Sequence, residues 1–379
     1  MSLRHYPCLF WLLLLPIGSL FPAPSSWAMA VKPQEKIAPD FPRHGVWIQT
    51  LETITNKIFK NHLTLLYFWD YTSANCLRDL TYLKKWEGLY KPYGLQILLV
   101  HSPEFEFAAK KENVEQAVRY YKIPYPVLLD NQFKLWEAYK NFSWPTKVLI
   151  NPEGRIIHTQ AGEGKYQEME NMLRGQLGKM DSRMVLPNAF VEEDEPDNYN
   201  DEECGPMMGE TYIGHKRARW WGAEIANKNW TKSKATSIFK DRGERVQRGF
   251  FLQGLWTNFD DYFEHARQTQ ELADYLGIVY FGSSVYSVMS LVEPLAGEAR
   301  VYVTRDDQPV PSEFRGKDLK EDEKGKTYVP LKEARLYHLI VNEDEGPHEI
   351  KVWTREKGVA VSSFSFANRC LSTVDLLGS

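Results

Sequence analysis

Two kinds of hydrophobic pattern alternate through the first half of the chain. Residues 63–69 (LTLLYFW) are a short apolar run with an aromatic end, which predicts a buried strand. From Ser73 onward the apolar positions recur at spacings of three and four: Leu77, Leu80, Leu83, Trp86 and Leu89-Tyr90. That period lays them on one face of a helix, which Tyr93-Gly94 should end. LQILLVH (95–101) predicts a second buried strand, and 109–121 a helix with Ala117, Val118 and Tyr121 on one side. PVLLD (126–130) predicts a third strand and 133–139 a short helix. Residues 146–160 predict a hairpin turning at Asn151 to Gly154, and 165–178 a closing helix. Strands separated by helices and finished by a hairpin make a mixed α/β sheet, with helices expected on both faces.

Beyond residue 209 the helical period disappears. ETYIG, FFLQGLWTNF, YLGIVYFGSSVYSVMSLV, EARVYVTRD, RLYHLIV, HEIKVWTRE and VAVSSFSFAN are short, aromatic and β-branched, with Gly, Pro, Asp and Asn between them. This predicts an all-β sandwich or jelly roll, of the shape seen in carbohydrate-binding modules. Its many Trp and Tyr are expected mainly in the core; an exposed aromatic strip that binds a sugar is the alternative. Between the halves, 180–208 carries eight acidic residues from Glu192 to Glu203, with Pro196 and Pro206. A solvated, self-repelling linker is expected there, against a cation site or docking tail.

The start of the chain stands apart. Arg4 and His5 precede an apolar run from Cys8 to Leu15 that reaches Phe21, and Ala28-Met29-Ala30 follows. A charged start, a short apolar core and an A-x-A ending predict a cleavable secretory signal over 1–30, cut near Ala30. The run is shorter than the ~20 residues of a membrane span and is broken by Pro16. The organisation expected is thus a signal (1–30), an α/β domain (31–179), an acidic linker (180–208) and a β domain (209–379). The product would be periplasmic or secreted, with no integral membrane segment after cleavage. Composition agrees with two globular domains: 379 residues, 43% hydrophobic and 25% charged. With Lys+Arg at 46 and Asp+Glu at 50, no basic face for nucleic acid is implied.

Cleavage would leave three cysteines: Cys76, Cys204 and Cys370. An odd count in an oxidising compartment leaves one thiol over. Cys204 stands just before the first β-domain strand (about 210–214) and Cys370 just after the last (about 359–367). If those strands pair antiparallel, the two thiols meet at one edge, and a Cys204–Cys370 bridge forms within the ~4.4–6.8 Å Cα range. Two unrelated cysteines are the alternative.

The chemistry is concentrated at the first strand-to-helix junction, Phe68-Trp69-Asp70-Tyr71-Thr72-Ser73-Ala74-Asn75-Cys76-Leu77-Arg78. A thiol one turn into a helix sits near unpaired N–H groups and the positive end of the dipole. Much later, Trp144-Pro145 stands immediately before a strand; an X-Pro there can be cis and can abut the first site. The stretch resembles the active-site region of thioredoxin-fold redoxins of the TlpA/ResA type. It is most similar to the exported thioredoxin-like part of DipZ proteins. The resemblance continues through His101-Ser102-Pro103-Glu104-Phe105, Tyr125-Pro126-Val127, Leu129-Asp130-Asn131, Trp136, Trp144-Pro145 and Gly162-Glu163-Gly164. In the second half, Glu210-Thr211-Tyr212-Ile213-Gly214, Gly254-Leu255-Trp256, Arg335-Leu336-Tyr337 and Phe364-Ser365-Phe366 resemble the β-sandwich that follows the redoxin domain in DipZ. DipZ's membrane-embedded electron-transfer part has no expected counterpart.

The resemblance implies a thioredoxin fold and thiol–disulfide exchange, but the family's Cys-x-x-Cys is here Ser73-x-x-Cys76. Exchange requires a thiolate, and a serine hydroxyl titrates too high for a helix dipole to supply one. Ser73 does suit the helix N-cap. Three functions follow as expectations. The first is a degenerate redoxin that binds client proteins or thiols without dithiol turnover. The second is a monothiol redox protein using Cys76 with an outside thiol such as glutathione. The third is a glycan- or partner-binding protein acting through the β domain. Cys76 is either the working thiol or a shielded remnant, and Trp69 and Trp144 either flank a client groove or pack. Pro145 is expected cis and part of the client site. His101 is expected to be structural and Glu163 a turn residue. No metal-ligand spacing, P-loop, nucleophile elbow or dinucleotide fingerprint is present, so no cofactor is expected.

Overall fold

In the computed structural model of the protein, the described residues are 36–50, 52–191, 204–227, 232–293 and 298–371. The predicted signal, 1–30, and most of the acidic run, 192–203, lie outside them. The first sheet comprises β1 (Lys36–Ile37), β2 (Val46–Ile48), β3 (Leu63–Trp69), β4 (Leu95–His101), β5 (Val127–Leu129), β6 (Thr146–Ile150) and β7 (Arg155–Ala161), in the order β1-β7-β6-β3-β4-β5-β2. Strands β3, β4 and β5 run parallel, and β6, β7, β1 and β2 join antiparallel. The helices are α1 (Ala74–Tyr90), α2 (Lys111–Tyr120), α3 (Lys134–Ala138) and α4 (Tyr166–Met180). Every element predicted from residue 63 onward in this half is present, with ends shifted by a few residues.

Strand β3 is buried along its whole length, and its alternation feeds two cores. Leu63, Leu65, Tyr67 and Trp69 pack with residues of α1, α2 and α4, including Leu80, Val118 and Leu173. Leu66 and Phe68 point to the other face. There the expected helical layer is thin: five-residue α3 is joined by the N-terminal segment, through Ala38, Phe41, Ile54 and Phe59. Those four residues have no regular spacing, so no pattern announced that role.

The second half holds β8 (Thr211–Tyr212), β9 (Glu224–Ile225), β10 (Ala235–Phe239), β11 (Gly249–Asn258), β12 (Phe263–His265), β13 (Asp274–Tyr280) and β14 (Ser284–Leu291). It continues with β15 (Ala299–Arg305), β16 (Gln308–Pro309), β17 (Lys320–Glu321), β18 (Thr327–Leu331), β19 (Arg335–Val341), β20 (His348–Thr354) and β21 (Val359–Ala367). A short helix, α5 (His215–Trp220), follows β8 and was not expected. The predicted sandwich is one curled sheet around one core, along the path β17-β18-β15-β20-β13-β11-β12-β21-β14-β19. Pairing is antiparallel except for the short β9–β11 pair. Strand β11 carries the sheet from one layer to the other: Phe250–Gln253 pair with β13, and Trp256–Asn258 with β12. Gly254 stands between at φ +100, where a Cβ would lie 2.0 Å from the Asp274 carboxyl carbon, so only glycine makes this bend.

The first and last strands pair as the cysteine argument required: Tyr212 opposite Ser363 and Thr211 opposite Phe364, antiparallel. Cys204 and Cys370 form a disulfide with Cα atoms 5.1 Å apart. Cys76 is the free thiol among the described residues.

Candidate active site at the first strand-to-helix junction

Asp70 organises the turn between β3 and α1. Its buried carboxylate accepts the Thr72 N–H at 2.6 Å, the Thr72 hydroxyl, and the Glu104 N–H at 2.7 Å. The Ser73 N–H donates to the Asp70 carbonyl at 3.3 Å. Ser73 then takes the N-cap of α1 in extended backbone (φ −84, ψ 117), and its Oγ accepts the Cys76 N–H at 3.4 Å. This is the structural role expected of serine there, worth about 1 kcal/mol to a helix.

Cys76 lies one turn in and is fully buried. Burial pushes its thiol well above the ordinary range, and hydrogen bonding from the Asp70 backbone and Ser73 only partly offsets that.

The β3–β4 register sets Trp69 beside His101. The His101 ring stacks on Tyr71 at 5.6 Å and meets the Trp69 ring edge-on at 5.6 Å, with Nε2 3.4 Å from Asp70 Oδ2. Burial raises the Asp70 carboxyl, but His101 and the Thr72 and Glu104 donors outweigh it, so Asp70 stays lower than usual. His101 is thus wholly buried, packed between the Tyr71 and Trp69 rings beside Asp70. Among the described residues no group of His, Cys, Asp and Glu could hold a metal ion.

Below Cys76 is a buried ionic network that the sequence reading missed. Asp79 sits on α1 one turn further on, paired with Lys147 of β6 and accepting the Tyr166 hydroxyl at 2.8 Å. Lys147 also donates to the Gly162 carbonyl at 3.2 Å, and the Tyr67 hydroxyl reaches the Cys76 carbonyl at 3.0 Å. Burial raises the Asp79 carboxyl above its usual range, and Lys147 pulls it back only in part. Arg78 and Glu163 pair bidentately at 2.7 and 2.8 Å, so the Gly162-Glu163-Gly164 turn is also an anchor for α1. The available signal was a charge at an inward helical position, three residues after Cys76, and a lysine inside the apolar run 146–150.

The Trp144-Pro145 bond is cis. Phe68 pairs with Thr146, so the start of β6 and the end of β3 share one edge of the sheet. The Trp144 indole donates to the Ser102 carbonyl at 2.9 Å and packs on Trp136 at 4.3 Å, half-buried. Trp69 is wholly buried and offers no surface.

The β domain covers this region. Tyr71, Ala74 and Cys76 belong to the same apolar cluster as Tyr212, Tyr286, Val288, Leu336, Ala367 and Leu371. Ser73 itself is only 4% exposed. A polar bridge seals the contact: Tyr212 donates toward Glu104 and lies 3.1 Å from Glu210, whose Oε1 accepts from Ser363 and Ser365. Arg217 reaches Glu104 at 3.2 Å and lies over the rings of Phe105 and Tyr212. From Lys36 onward the two domains form one compact unit.

Fold and junction together define a thioredoxin-like redoxin domain followed by a β domain. Residues 35–159 match the AhpC/TSA family, and residues 208–367 match the thioredoxin like C-terminal domain. The chain thus carries an AhpC/TSA redoxin domain followed by a thioredoxin like C-terminal domain. It is 26% identical over 334 residues to the protein DipZ of Mycobacterium tuberculosis (strain CDC 1551 / Oshkosh), covering 87% of this chain and 42% of that protein. It is 26% identical over 118 residues to the thiol-disulfide oxidoreductase ResA of Bacillus thuringiensis subsp. konkukian (strain 97-27), covering 31% of this chain and 65% of that protein. Among solved structures, a thiol-disulfide isomerase from Corynebacterium glutamicum is similar at 17% identity and a TM-score of 0.33, over 37% of this chain and 96% of that one. The chain thus spans less than half the length of the DipZ proteins it matches.

Proposed function

We propose that this chain is an exported thioredoxin-fold protein of the thiol–disulfide oxidoreductase family with a degenerate Ser73-x-x-Cys76 site, binding client proteins or thiols without dithiol turnover. One observation carries the reading: Ser73 caps α1 where the family's nucleophile would stand, and the remaining thiol, Cys76, is fully buried. The monothiol alternative requires an outside thiol to reach that sulfur, and the covering β domain weighs against it. Export, to the periplasm or the medium, belongs to the same proposal and rests on the apolar leader at 1–30. Among the described residues no helix is long and apolar enough to cross a membrane.

Insulin reduction tests the reading. The wild-type chain should show background turnover only. Ser73→Cys should form a 73–76 disulfide, seen as a two-proton mass loss, and gain dithiol-dependent turnover. Wild-type turnover above background and equal to that of Ser73→Cys refutes the degenerate site.

A second reading has support from one feature of the β domain. Tyr275, Trp353, Tyr302 and Tyr328 stand opposite one another across β13, β20, β15 and β18, on the face away from the core. A cavity of about 270 Å³ beside them is lined by Trp353, Thr304, Asp307 and Lys326. Aromatic faces with polar groups at their rim suit a sugar ring, so this face would serve the glycan-binding function; titration with glycans followed by tryptophan fluorescence tests it.

A further inference from the structure

We infer that the edge of the β domain built by α5 and β10 docks on an anionic phospholipid bilayer. Large apolar side chains are exposed there among the described residues: Trp220 at 75%, Trp221 at 51% and Ile238 at 66%. Exposed beside them are Arg219, Lys232, Lys234 and Lys240. Among the described residues from His215 to Lys240 there are six Lys or Arg and one acid, Glu224. The whole chain, by contrast, carries a net charge of −4.

The structure makes this one surface. At one end, the His215 ring meets the Asn258 side chain at 3.4 Å, and the Asn258 carbonyl accepts the Lys234 N–H. At the other, Asn227 donates to the Lys240 carbonyl at 2.8 Å. The segment bearing Trp220 and Trp221 therefore starts near one end of β10, at Lys234, and finishes near the other, at Lys240. Strand β10 alternates, with Thr236 and Ile238 outward and Phe239 in the core. The first turn of α5 faces Asp260 and Asp261, and Arg217 turns to Glu104. The outward charge is thus that of Lys232, Lys234 and Lys240.

Indole rings favour the bilayer–water interface, and lysines around them favour anionic headgroups. The helix tip and edge strand present projecting side chains, which suits shallow insertion. An acidic protein would satisfy the lysines and leave two adjacent indoles without a pocket. Docking through this edge also anchors the redoxin domain, because Tyr212 and Arg217, next to Trp221, hold Glu104.

The test uses the chain from Val31 onward, which retains the compact unit and lacks the apolar leader. It is sedimented with vesicles of phosphatidylcholine carrying roughly a third phosphatidylglycerol, and with pure phosphatidylcholine. Binding to the anionic vesicles alone, weakening steeply as salt rises from about 0.1 M to about 1 M, is expected. Trp220→Ala/Trp221→Ala and Lys232→Glu/Lys234→Glu should each lower the affinity at least tenfold, at about fivefold per basic residue removed. Both pairs are on the surface, and an unchanged far-ultraviolet circular dichroism spectrum and urea midpoint confirm their fold. Equal binding to neutral vesicles, or variants that bind like the wild type, overturns the proposal. Binding to polyglutamate but to no vesicle also overturns it, and assigns the edge to an acidic protein.

Discussion

Glu104→Gln should flatten the pH dependence of stability. Glu104 and Glu210 come from different domains and share the Tyr212 hydroxyl. That hydroxyl has one proton, so it can donate to one carboxyl only. The second contact is a hydrogen bond only if the other carboxyl is itself protonated and donates to the tyrosine oxygen. Burial and the facing Glu210 charge push the Glu104 carboxyl up to about 8, against the pull of Arg217. Glu210 is also raised, again by burial. The native state therefore binds more protons than the unfolded one, and its stability falls as pH rises. The contribution is complete below the ordinary glutamate value of about 4.5 and is lost as pH climbs through about 8. A rise of that size corresponds to at most about 5 kcal/mol, at about 1.4 kcal/mol per pH unit. Glutamine reproduces the protonated acid and does not titrate. Urea unfolding of both proteins from pH 5 to pH 9, followed by tryptophan fluorescence, measures the difference. The wild type should lose roughly 2–5 kcal/mol more than the variant over that range, with near-equal stability at the acid end. Parallel pH profiles would refute the shared-proton bridge.

Two further outcomes follow from buried groups. Lys147→Met leaves the Asp79 carboxylate alone in the core and should cost about 3–5 kcal/mol, much of it restored in Lys147→Met/Asp79→Asn; additive urea-denaturation costs would refute the pairing. Cys370→Ser opens a loop whose ends are 166 residues apart, and should lower stability by at most about 5 kcal/mol, while non-reducing peptide maps of the wild type show Cys204 joined to Cys370 and Cys76 free.

Much of this fold was readable because burial leaves a periodic record. Strand β3 is an unbroken apolar run since both faces are covered, and α1 shows spacings of three and four since one face is. The short elements were silent. Strands β1 and β2 span two and three residues, and α5 six, lengths at which no period can appear. The bend of β11 was hidden as well: Gly254 could be seen, but the Asp274 carboxyl that forbids a side chain there comes from another strand.

The site divides along the same line. Ser73 and Cys76 were legible because a cap and a thiol are local facts of a helix start. What decides their chemistry is not local. The thiol is fully buried, in an apolar cluster that also holds Tyr286, Val288 and Leu336, more than 200 positions along the chain. Asp79 and Lys147 lie 68 positions apart, and only the tertiary fold, with β6 paired to β3 beneath α1, brings them together. A serine at the cap preserves the geometry that a redoxin junction needs. The β domain packs over the junction in the same apolar cluster as Cys76, which is the part of the proposed degenerate site that no local pattern carries. Substitution and cover act on the same function from opposite ends of the chain, so Ser73→Cys alone should recover the disulfide more readily than the turnover.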